Sequence, residues 1–444
     1  MDSNQKPFRV AILGCGTVGG GLARIILERQ EALAVSAGRK LELAALVDLY
    51  PAKSASRHSI PLALFGTTEE LSREEAAKRT DALIADPSID AIVETMGGVS
   101  EYVRSVCERI LKAGKYLVSA NKALLAEQGA GLFAAADAAG KPLSYEAAVC
   151  GAIPIIRVVR EAFAGDEVQS FSGIMNGTSN YILSKMQAEG LSFAEALNLA
   201  QEKGYAEADP TLDVGGGDAG HKLSILSQLA FGLSGANKEL SVQGIQEVDQ
   251  ADLRAAAEMD CTIKLICHAQ KEKDQNLVHA SVCPMMVKNT NFLSRIDGAT
   301  NAVRVLNRYS GEHILVGKGA GSLETGSAIA ADLVSLARYG NTISNPVSNT
   351  NLELKNMDEL PFPYTIIFET EDAPGITGLV ATAIGKQGIN IDTVGHNIHS
   401  GDSAIFAVET MACTRGSLRN AIEDIRGQRP GLFKREPKVF PVLY

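Results

Sequence analysis

Arg9-Val10-Ala11-Ile12-Leu13-Gly14-Cys15-Gly16-Thr17-Val18-Gly19 decides how the first third of this chain folds. Arg9 to Leu13 reads as a short buried strand, three glycines follow at once, and a helical apolar periodicity begins at Thr17 and runs to about Leu33. In that order each glycine has a task. Gly14 permits a tight turn, Gly16 lets backbone approach a diphosphate, and Gly19 lets the helix sit close to the sheet. The free N–H groups of the first helical turn, at Thr17 and Val18, complete an anion cradle.

Working outward, a second strand over Leu41–Val47 ends at Asp48, whose carboxylate can accept hydrogen bonds from a ribose diol and so favours NAD. Lys53 and Arg57 follow, and either they are solvated surface or they meet a 2′-phosphate, which keeps NADP open. A third apolar run, Ala91–Val93, leads into Glu94-Thr95-Met96-Gly97-Gly98 and a helix to about Ala113. The strand Tyr116–Val118 then ends in Ser119-Ala120-Asn121-Lys122. Short strands ending in small or polar residues present ligand contacts at the carboxyl edge of an open parallel sheet. Thr95 and Gly97 are therefore expected against the cofactor, and Asn121 and Lys122 where nicotinamide and substrate meet. A helix over Leu124–Ala139 and a strand over Leu143–Tyr145 lead out of the unit.

At 444 residues the chain is long enough for roughly two to four domains. A net charge of -10 without a Lys/Arg run offers nothing to a nucleic-acid backbone or an anionic membrane. Met1–Gly16 holds no apolar signal segment, and no later window is apolar for about eighteen residues, so a cytoplasmic location is expected. Seven scattered cysteines without a CxxC pair suit free thiols in a reducing compartment, and no zinc or iron–sulfur spacing occurs. Cys15 and Cys150 sit in glycine-rich turns where a small residue simply fits.

The middle of the chain carries the chemistry. Glu207, Asp209, Asp213 and Asp218 precede a single Lys222, and Asp218 and Lys222 are spaced to share one helix face. Gly215–Gly217 and the Asp209-Pro210 step form a loop that presents polar groups, and acids gathered beside an amine suit an amino-acid substrate. A charged loop with a capped helix is the plainer alternative.

Three segments carry a family likeness: Tyr145-Glu-Ala-Ala-Val-Cys-Gly-Ala-Ile-Pro-Ile155, Gly173-Ile-Met-Asn-Gly-Thr-Ser-Asn-Tyr-Ile-Leu183, and Gly204 through Leu223. They resemble the homoserine dehydrogenases, and the likeness runs from the first strand to about Tyr339. The resemblance implies NAD(P)-dependent interconversion of L-homoserine and L-aspartate 4-semialdehyde, on the route to threonine, methionine and isoleucine. It implies Lys222 as the acid/base, assisted by Lys122, with Asp218 orienting the lysine and the reacting oxygen. It further implies Glu207 on the substrate amino group and Asp213, Asn176, Gly177 and Thr178 along the substrate side of the cleft. A monovalent cation, typically sodium, is implied at Glu146, Val149, Gly151 and Ile153, mostly through backbone oxygens. Gly321 and Thr325, at the start of a returning helix over Ala328–Arg338, are implied to approach the cofactor. Glu324-Thr325-Gly326 departs from the family's usual residues there.

After the polar stretch Gly340–Asn351 the pattern restarts as β-α-β-β-α: Tyr364–Glu369, Gly375–Lys386, Ile391–Asn397, Ser403–Thr410 and Ser417–Ile425. This order, with Asp372-Ala-Pro-Gly375 at its first turn, resembles an ACT domain, which implies paired modules and an L-threonine effector; a structural dimerisation module is the alternative. Gly375, Gly388 and His396–Gly401 are its candidate contacts or ordinary turns, and Arg426–Tyr444 reads as a loop or crossing arm.

The expected architecture is thus α/β. Residues 1–145 form a Rossmann dinucleotide-binding domain, completed by about 321–340. Residues 146–320 form an α+β substrate and catalytic domain with a mixed sheet, 341–360 a linker, and 361–444 an ACT-like, ferredoxin-like regulatory domain with its tail. A homo-oligomer, dimer or tetramer, is expected, without nucleic-acid or membrane partners. No kinase-sized region precedes Arg9, so aspartokinase activity is not expected. Two rivals remain at this point, another amino-acid dehydrogenase such as aspartate dehydrogenase and a non-catalytic NAD-binding sensor.

Overall fold

A parallel sheet of five strands begins the molecule: β1 (Phe8–Leu13), β2 (Leu41–Val47), β3 (Ala91–Glu94), β4 (Tyr116–Ser119) and β5 (Leu143–Ser144), in the order β2-β1-β3-β4-β5. The structure is a computed structural model that describes residues 6–233, 235, 239–273, 275–342, 345, 351–395, 398–400 and 403–444. Phe8 and Val10–Leu13 are buried, which is why β1 reads as an apolar run and not as an alternation. The strand order reverses between β1 and β3, so the carboxyl ends of these two strands open the crevice where ligands bind in such sheets.

The single helix expected to Leu33 is two, Thr17–Glu28 and Gln30–Ala37, because the backbone leaves helical geometry at Arg29, φ −118°. Helix Ser322–Tyr339 returns to this domain and packs on Thr17–Glu28 with almost no space between them. A Cβ on Gly21 would lie 2.3 Å from the Ser322 carbonyl oxygen, and one on Gly326 would lie 2.8 Å from the Leu22 nitrogen. Leu22, Ile26, Ile329 and Leu333 close a core against Val10 and Ile12.

A second, mixed sheet is built from β6 (Val168–Ile174), β7 (Ser241–Val242), β8 (Cys261–Lys271), β9 (Leu277–Lys288), β10 (Thr300–Asn307) and β11 (Gly311–Lys318). Helices Gly177–Glu189 and Gly217–Phe231 belong to this part of the chain. The stretch expected as a linker contains β12 (Glu353–Lys355), which pairs with β9. Downstream lie β13 (Tyr364–Glu371), helix Ile376–Lys386, β14 (Ile391–Val394), β15 (Ile398–Ser400), β16 (Ser403–Thr410), helix Arg415–Gln428 and β17 (Lys438–Leu443). Tyr364, Ile366, Phe368, Val380, Ile384, Leu418 and Ile425 give these elements a core of their own. In the candidate loop His396–Gly401, residues 396, 397 and 401 lie outside the described residues, and Ile398–Ser400 pairs with β16.

Arg426–Tyr444 is a correction to the sequence reading, since the helix continues to Gln428 and Lys438–Leu443 is a strand. Lys438–Pro441 pairs antiparallel with β13, then Val442 and Leu443 pair parallel with β9. The partner changes just after Pro441, which has no N–H to give to a ladder. Phe440, Val442 and Leu443 are buried there, and burying them is worth more than an exposed loop. The result is one continuous sheet, β11-β10-β6-β8-β9-β17-β13-β16-β14, spanning the middle and C-terminal regions.

Candidate active site

The glycine turn is held from below. Gly14 has φ +88°, a Cβ there would lie 2.7 Å from the Thr95 carbonyl oxygen, and a Cβ on Gly19 would lie 2.0 Å from the Gly14 oxygen. Thr95 Oγ1 donates to the Gly14 oxygen (2.6 Å) or the Leu13 oxygen (3.1 Å), so β3 fastens the turn. Above Gly16, by contrast, a Cβ would meet nothing within 4 Å, and helix Thr17–Glu28 has no side-chain cap. A cradle closed beneath and open above, with uncapped N–H groups facing it, fits a dinucleotide diphosphate.

Asp48 Oδ2 accepts the Cys15 N–H (2.6 Å) and Oδ1 accepts the Tyr50 N–H (2.8 Å), which holds the carboxylate at the end of β2. Arg57 reaches Thr17 Oγ1 at 3.4 Å, so a cation stands at the same end of the cradle, and Lys53 lies 6.0 Å from the Tyr50 ring centroid. Asn121 caps helix Lys122–Ala138 by accepting the Leu124 N–H (3.2 Å) and donates to the Gly98 oxygen (2.7 Å), tying the Gly97–Gly98 loop to β4. The residue that sequence reasoning passed over is Glu94. Fully buried, it accepts from Ser119 Oγ (2.7 Å) and from the N–H groups of Met96 (2.9 Å) and Gly97 (3.1 Å). Burial pushes its carboxyl pKa up against those donors. Its only sequence signal was a carboxylate at the end of an apolar run.

Across the crevice, helix Gly217–Phe231 begins at Gly216, φ +82°, and carries Asp218 and Lys222 one turn apart. The two residues are 6% and 7% exposed. Lys222 Nζ donates to Asp218 Oδ2 (2.7 Å) and to the Met175 oxygen (2.7 Å), and Lys122 Nζ lies 3.3 Å from Asp218 Oδ1. Lys122 starts a helix of the nucleotide domain, so this contact bridges the two domains. Burial alone would raise the Asp218 pKa, but the Lys222 and Lys122 ammoniums win and hold it far below the usual carboxylate range. Burial alone would lower Lys222, but the Asp218 carboxylate wins there too, and the lysine pKa is raised. The pair is therefore a carboxylate and an ammonium at neutral pH.

The structure brings Asn176 and Asp213 to the same cluster, where Asn176 Nδ2 lies 2.8 Å from Asp213 Oδ1 and 2.8 Å from Asp218 Oδ2. Gly177 leaves room for the Ala299 oxygen, which a Cβ would approach to 2.7 Å. Thr178 Oγ1 donates to the Tyr205 oxygen (2.6 Å), anchoring the loop that carries Glu207. Glu207 itself is exposed, and the hydrogen bond it makes is through its backbone oxygen, from Gln201 Nε2 at 3.1 Å.

At the hinge between the domains Glu146 is buried, and its carboxylate accepts the N–H groups of Ile156 (3.0 Å) and Arg157 (2.9 Å). Burial, with Asp332 adding to it, raises Glu146 to about 7. Cys150 and Gly151 follow with φ of +53° and +37°, and the Cys150 oxygen accepts the Ile153 N–H (2.8 Å), so Val149–Ile153 is a tight turn beside that carboxylate. Among the described residues no cluster of three or more His, Cys, Asp or Glu could hold a metal ion. Gly321 has φ +146°, Ser322 Oγ donates to the Thr17 oxygen (2.6 Å), and Thr325 is buried where a Cβ on Gly151 would meet its Oγ1 at 3.3 Å. The returning helix thus joins the glycine cradle to the hinge turn. No described helix is long and apolar enough to cross a membrane.

An open diphosphate cradle faces a buried proton-carrying lysine across one crevice, and that pairing defines a nicotinamide-dependent dehydrogenase. The family models for the homoserine dehydrogenase NAD-binding domain and for homoserine dehydrogenase match residues 14–146 and 154–334. The chain belongs to the homoserine dehydrogenase family and is an NAD(P)-dependent oxidoreductase. It is 35% identical to the homoserine dehydrogenase of Neisseria gonorrhoeae over 399 residues, 88% of each chain. A homoserine dehydrogenase structure from Thiobacillus denitrificans superposes with a TM-score of 0.86 at 31% identity, covering 98% of each chain. A hyperthermophilic archaeal homoserine dehydrogenase solved with NADPH is 25% identical, with a TM-score of 0.61, over 74% of this chain and 97% of that one.

Proposed function

We propose that Lys222 is the acid/base of the interconversion of L-homoserine and L-aspartate 4-semialdehyde, with Asp218 orienting it and Lys122 assisting from the nucleotide domain. The observation that carries this is the buried Lys222–Asp218 pair, closed by Lys122 from across the crevice. When bound, the reduced nicotinamide supplies a hydride to the aldehyde carbon. Lys222 then gives a proton to the oxygen on which charge develops, and Lys122 adds a second positive charge beside it. In the reverse direction Lys222 must first lose its proton, which the raised pKa makes harder at neutral pH. Asp213, Gly177 and Thr178 line the substrate side, and exposed Glu207 takes the substrate ammonium once the loop it sits on meets a ligand. The test is Lys222→Ala in the full chain. NADH binding is expected to survive, while kcat falls roughly 10²- to 10⁴-fold, the usual worth of positioned proton transfer. A loss below about tenfold would transfer the role to Lys122.

NAD is the preferred cofactor because Asp48 stands at the end of β2; Arg57 permits NADP as a second choice. A sodium ion fits the hinge, where Glu146 and backbone oxygens of Val149, Gly151 and Ile153 would hold it and neutralise a buried carboxylate without entering the reaction. The C-terminal region is an ACT-like module, read from its element order, and its effector is L-threonine. The enzyme works in the cytoplasm as a homo-oligomer, where the seven thiols stay reduced. Threonine titrations of the full chain, with calorimetry, test the effector. Inhibition competitive with homoserine would place threonine in the active site, and the absence of both binding and inhibition would remove the sensor reading.

A further inference from the structure

Asn176 has no donor left for a substrate. Its Oδ1 accepts the Ser179 N–H (2.8 Å) and caps helix Gly177–Glu189, while the two hydrogens on Nδ2 go to Asp213 Oδ1 and Asp218 Oδ2, each at 2.8 Å. The residue is buried. We propose that Asn176 is a positioning residue that clamps Asp213 and Asp218 side by side, leaving Asp218 one oxygen shared with Lys222 and the other facing Lys122. The inference rests on the acid/base reading of Lys222.

Two carboxylates brought together away from water repel, and one of them tends to take up a proton. Burial raises the Asp213 pKa and Asp218 raises it further, while the Asn176 hydrogen bond opposes both. A primary amide is suited to this task because it offers two hydrogens from one nitrogen without adding a charge that would compete with the lysines. The groups facing the Asp218–Lys222 pair come from several elements. They are His221 on the same helix, Asp213 before it, Lys122 from the nucleotide domain, Cys150 from the hinge turn and Cys267 from β8. Without the amide, Asp218 Oδ2 would be left to Lys222 alone. The ion pair would tighten, and Lys222 would keep its proton to higher pH.

Cap and clamp can be separated by substitution. Asn176→Asp retains an oxygen that can cap the helix but loses both donors, and Asn176→Ser retains a capping oxygen without adding charge. Both are made in the full chain and assayed for homoserine oxidation across pH, with NADH binding and thermal unfolding alongside. The expected result is an unchanged NADH Kd, kcat lowered about tenfold or more, and an alkaline displacement of the ionisation that governs kcat, with the thermal midpoint lowered more by Asn176→Asp, which sets a third carboxylate against two others, than by Asn176→Ser. A parental kcat and pH profile in either folded variant overturns the clamp, as does a rise in KM alone, which would make Asn176 a substrate ligand. Should Asn176→Asp fail to fold, Asn176→Ser decides. If Lys222→Ala keeps its turnover, the acid/base reading has failed; if only the Asn176 variants behave like the parent, this inference alone has.

Discussion

Asp218 and Lys222 show how little of a residue's chemistry is its own. Either side chain alone would be costly at this depth, and together with Lys122 each holds the other charged. The direction of the Lys222 shift sets a pH dependence with a definite sign. Because the folded pKa lies above the ordinary lysine value, the Lys222 ammonium, the acid of the proposed mechanism, persists through neutral pH and is lost only as pH rises past it. Semialdehyde reduction should therefore be flat near neutrality and fall at alkaline pH, while homoserine oxidation should climb with pH over the same range; kcat profiles in both directions check this. Asp48 allows a second prediction. Asp48→Ser should lower kcat/KM for NAD(H) more than for NADP(H), and should also loosen the glycine turn, since the Asp48 carboxylate receives the Cys15 N–H. Unchanged cofactor preference would assign discrimination to Arg57 and Lys53.

At the scale of elements, the contact between helices Thr17–Glu28 and Ser322–Tyr339 joins residues about three hundred positions apart, and it closes only because Gly21 and Gly326 carry no side chain. Gly326 stands in the Glu324-Thr325-Gly326 stretch that departs from the family pattern, and the structure gives it a packing role. Gly326→Ala should overpack this contact, costing about 1–3 kcal/mol. The helix would be pushed off the glycine cradle, so NADH affinity should fall together with the thermal midpoint. Unaltered affinity and stability would mean the helices can separate freely. The glycines of the catalytic loop are used in the same way, with a Cβ on Gly216 reaching 3.0 Å from Val242.

For the whole molecule, the C-terminal module is not hung on a tether. β17 pairs with β13 of the module and with β9 of the catalytic sheet, and Lys438 and Arg435 bridge from the module to Asp249 and Asp252. Tyr444 adds a hydrogen bond from its hydroxyl to buried Glu409 (2.6 Å) and accepts Asn291 Nδ2 on its backbone oxygen (2.7 Å). A chain stopped near Leu352 would strip Phe440 and Val442 from a core shared with the catalytic domain. Such a truncation should lower the thermal midpoint and the soluble yield. Full activity and unchanged stability in the shortened protein would show β17 and the module to be dispensable. The segment before Asp218 meets the same region, since the Ile245 N–H donates to the Val214 oxygen (2.8 Å) and the Lys438 ammonium to the Glu247 oxygen. A displacement of β17 would thus reach the segment between Asp213 and Asp218 through two hydrogen bonds.

What this sequence determined by itself was whatever depends on local order. Strand, glycines and helix from Arg9 onward specify the nucleotide cradle because each glycine's task is set by its immediate neighbours, and Asp218 and Lys222 meet because helical spacing places them on one face. Apolar periodicity likewise located the strands of the first sheet, and Tyr364–Glu371 and Ser403–Thr410 of the second, to within about two residues, while Val168–Ile174, Gly311–Lys318 and Lys438–Leu443 escaped notice because their pairing partners lie elsewhere in the chain. Tertiary structure decided the rest. Whether Lys222 is charged depends on a balance between burial and the charges around it, which periodicity cannot weigh. Glu94 shows its purpose only when β3 and β4 lie side by side, Asn176 only when two successive helices bring their carboxylates to it, and Gly326 only when the last helix of the nucleotide domain returns to the first. In each case the partner is distant in sequence, and the free energy that holds it there comes from the packed whole.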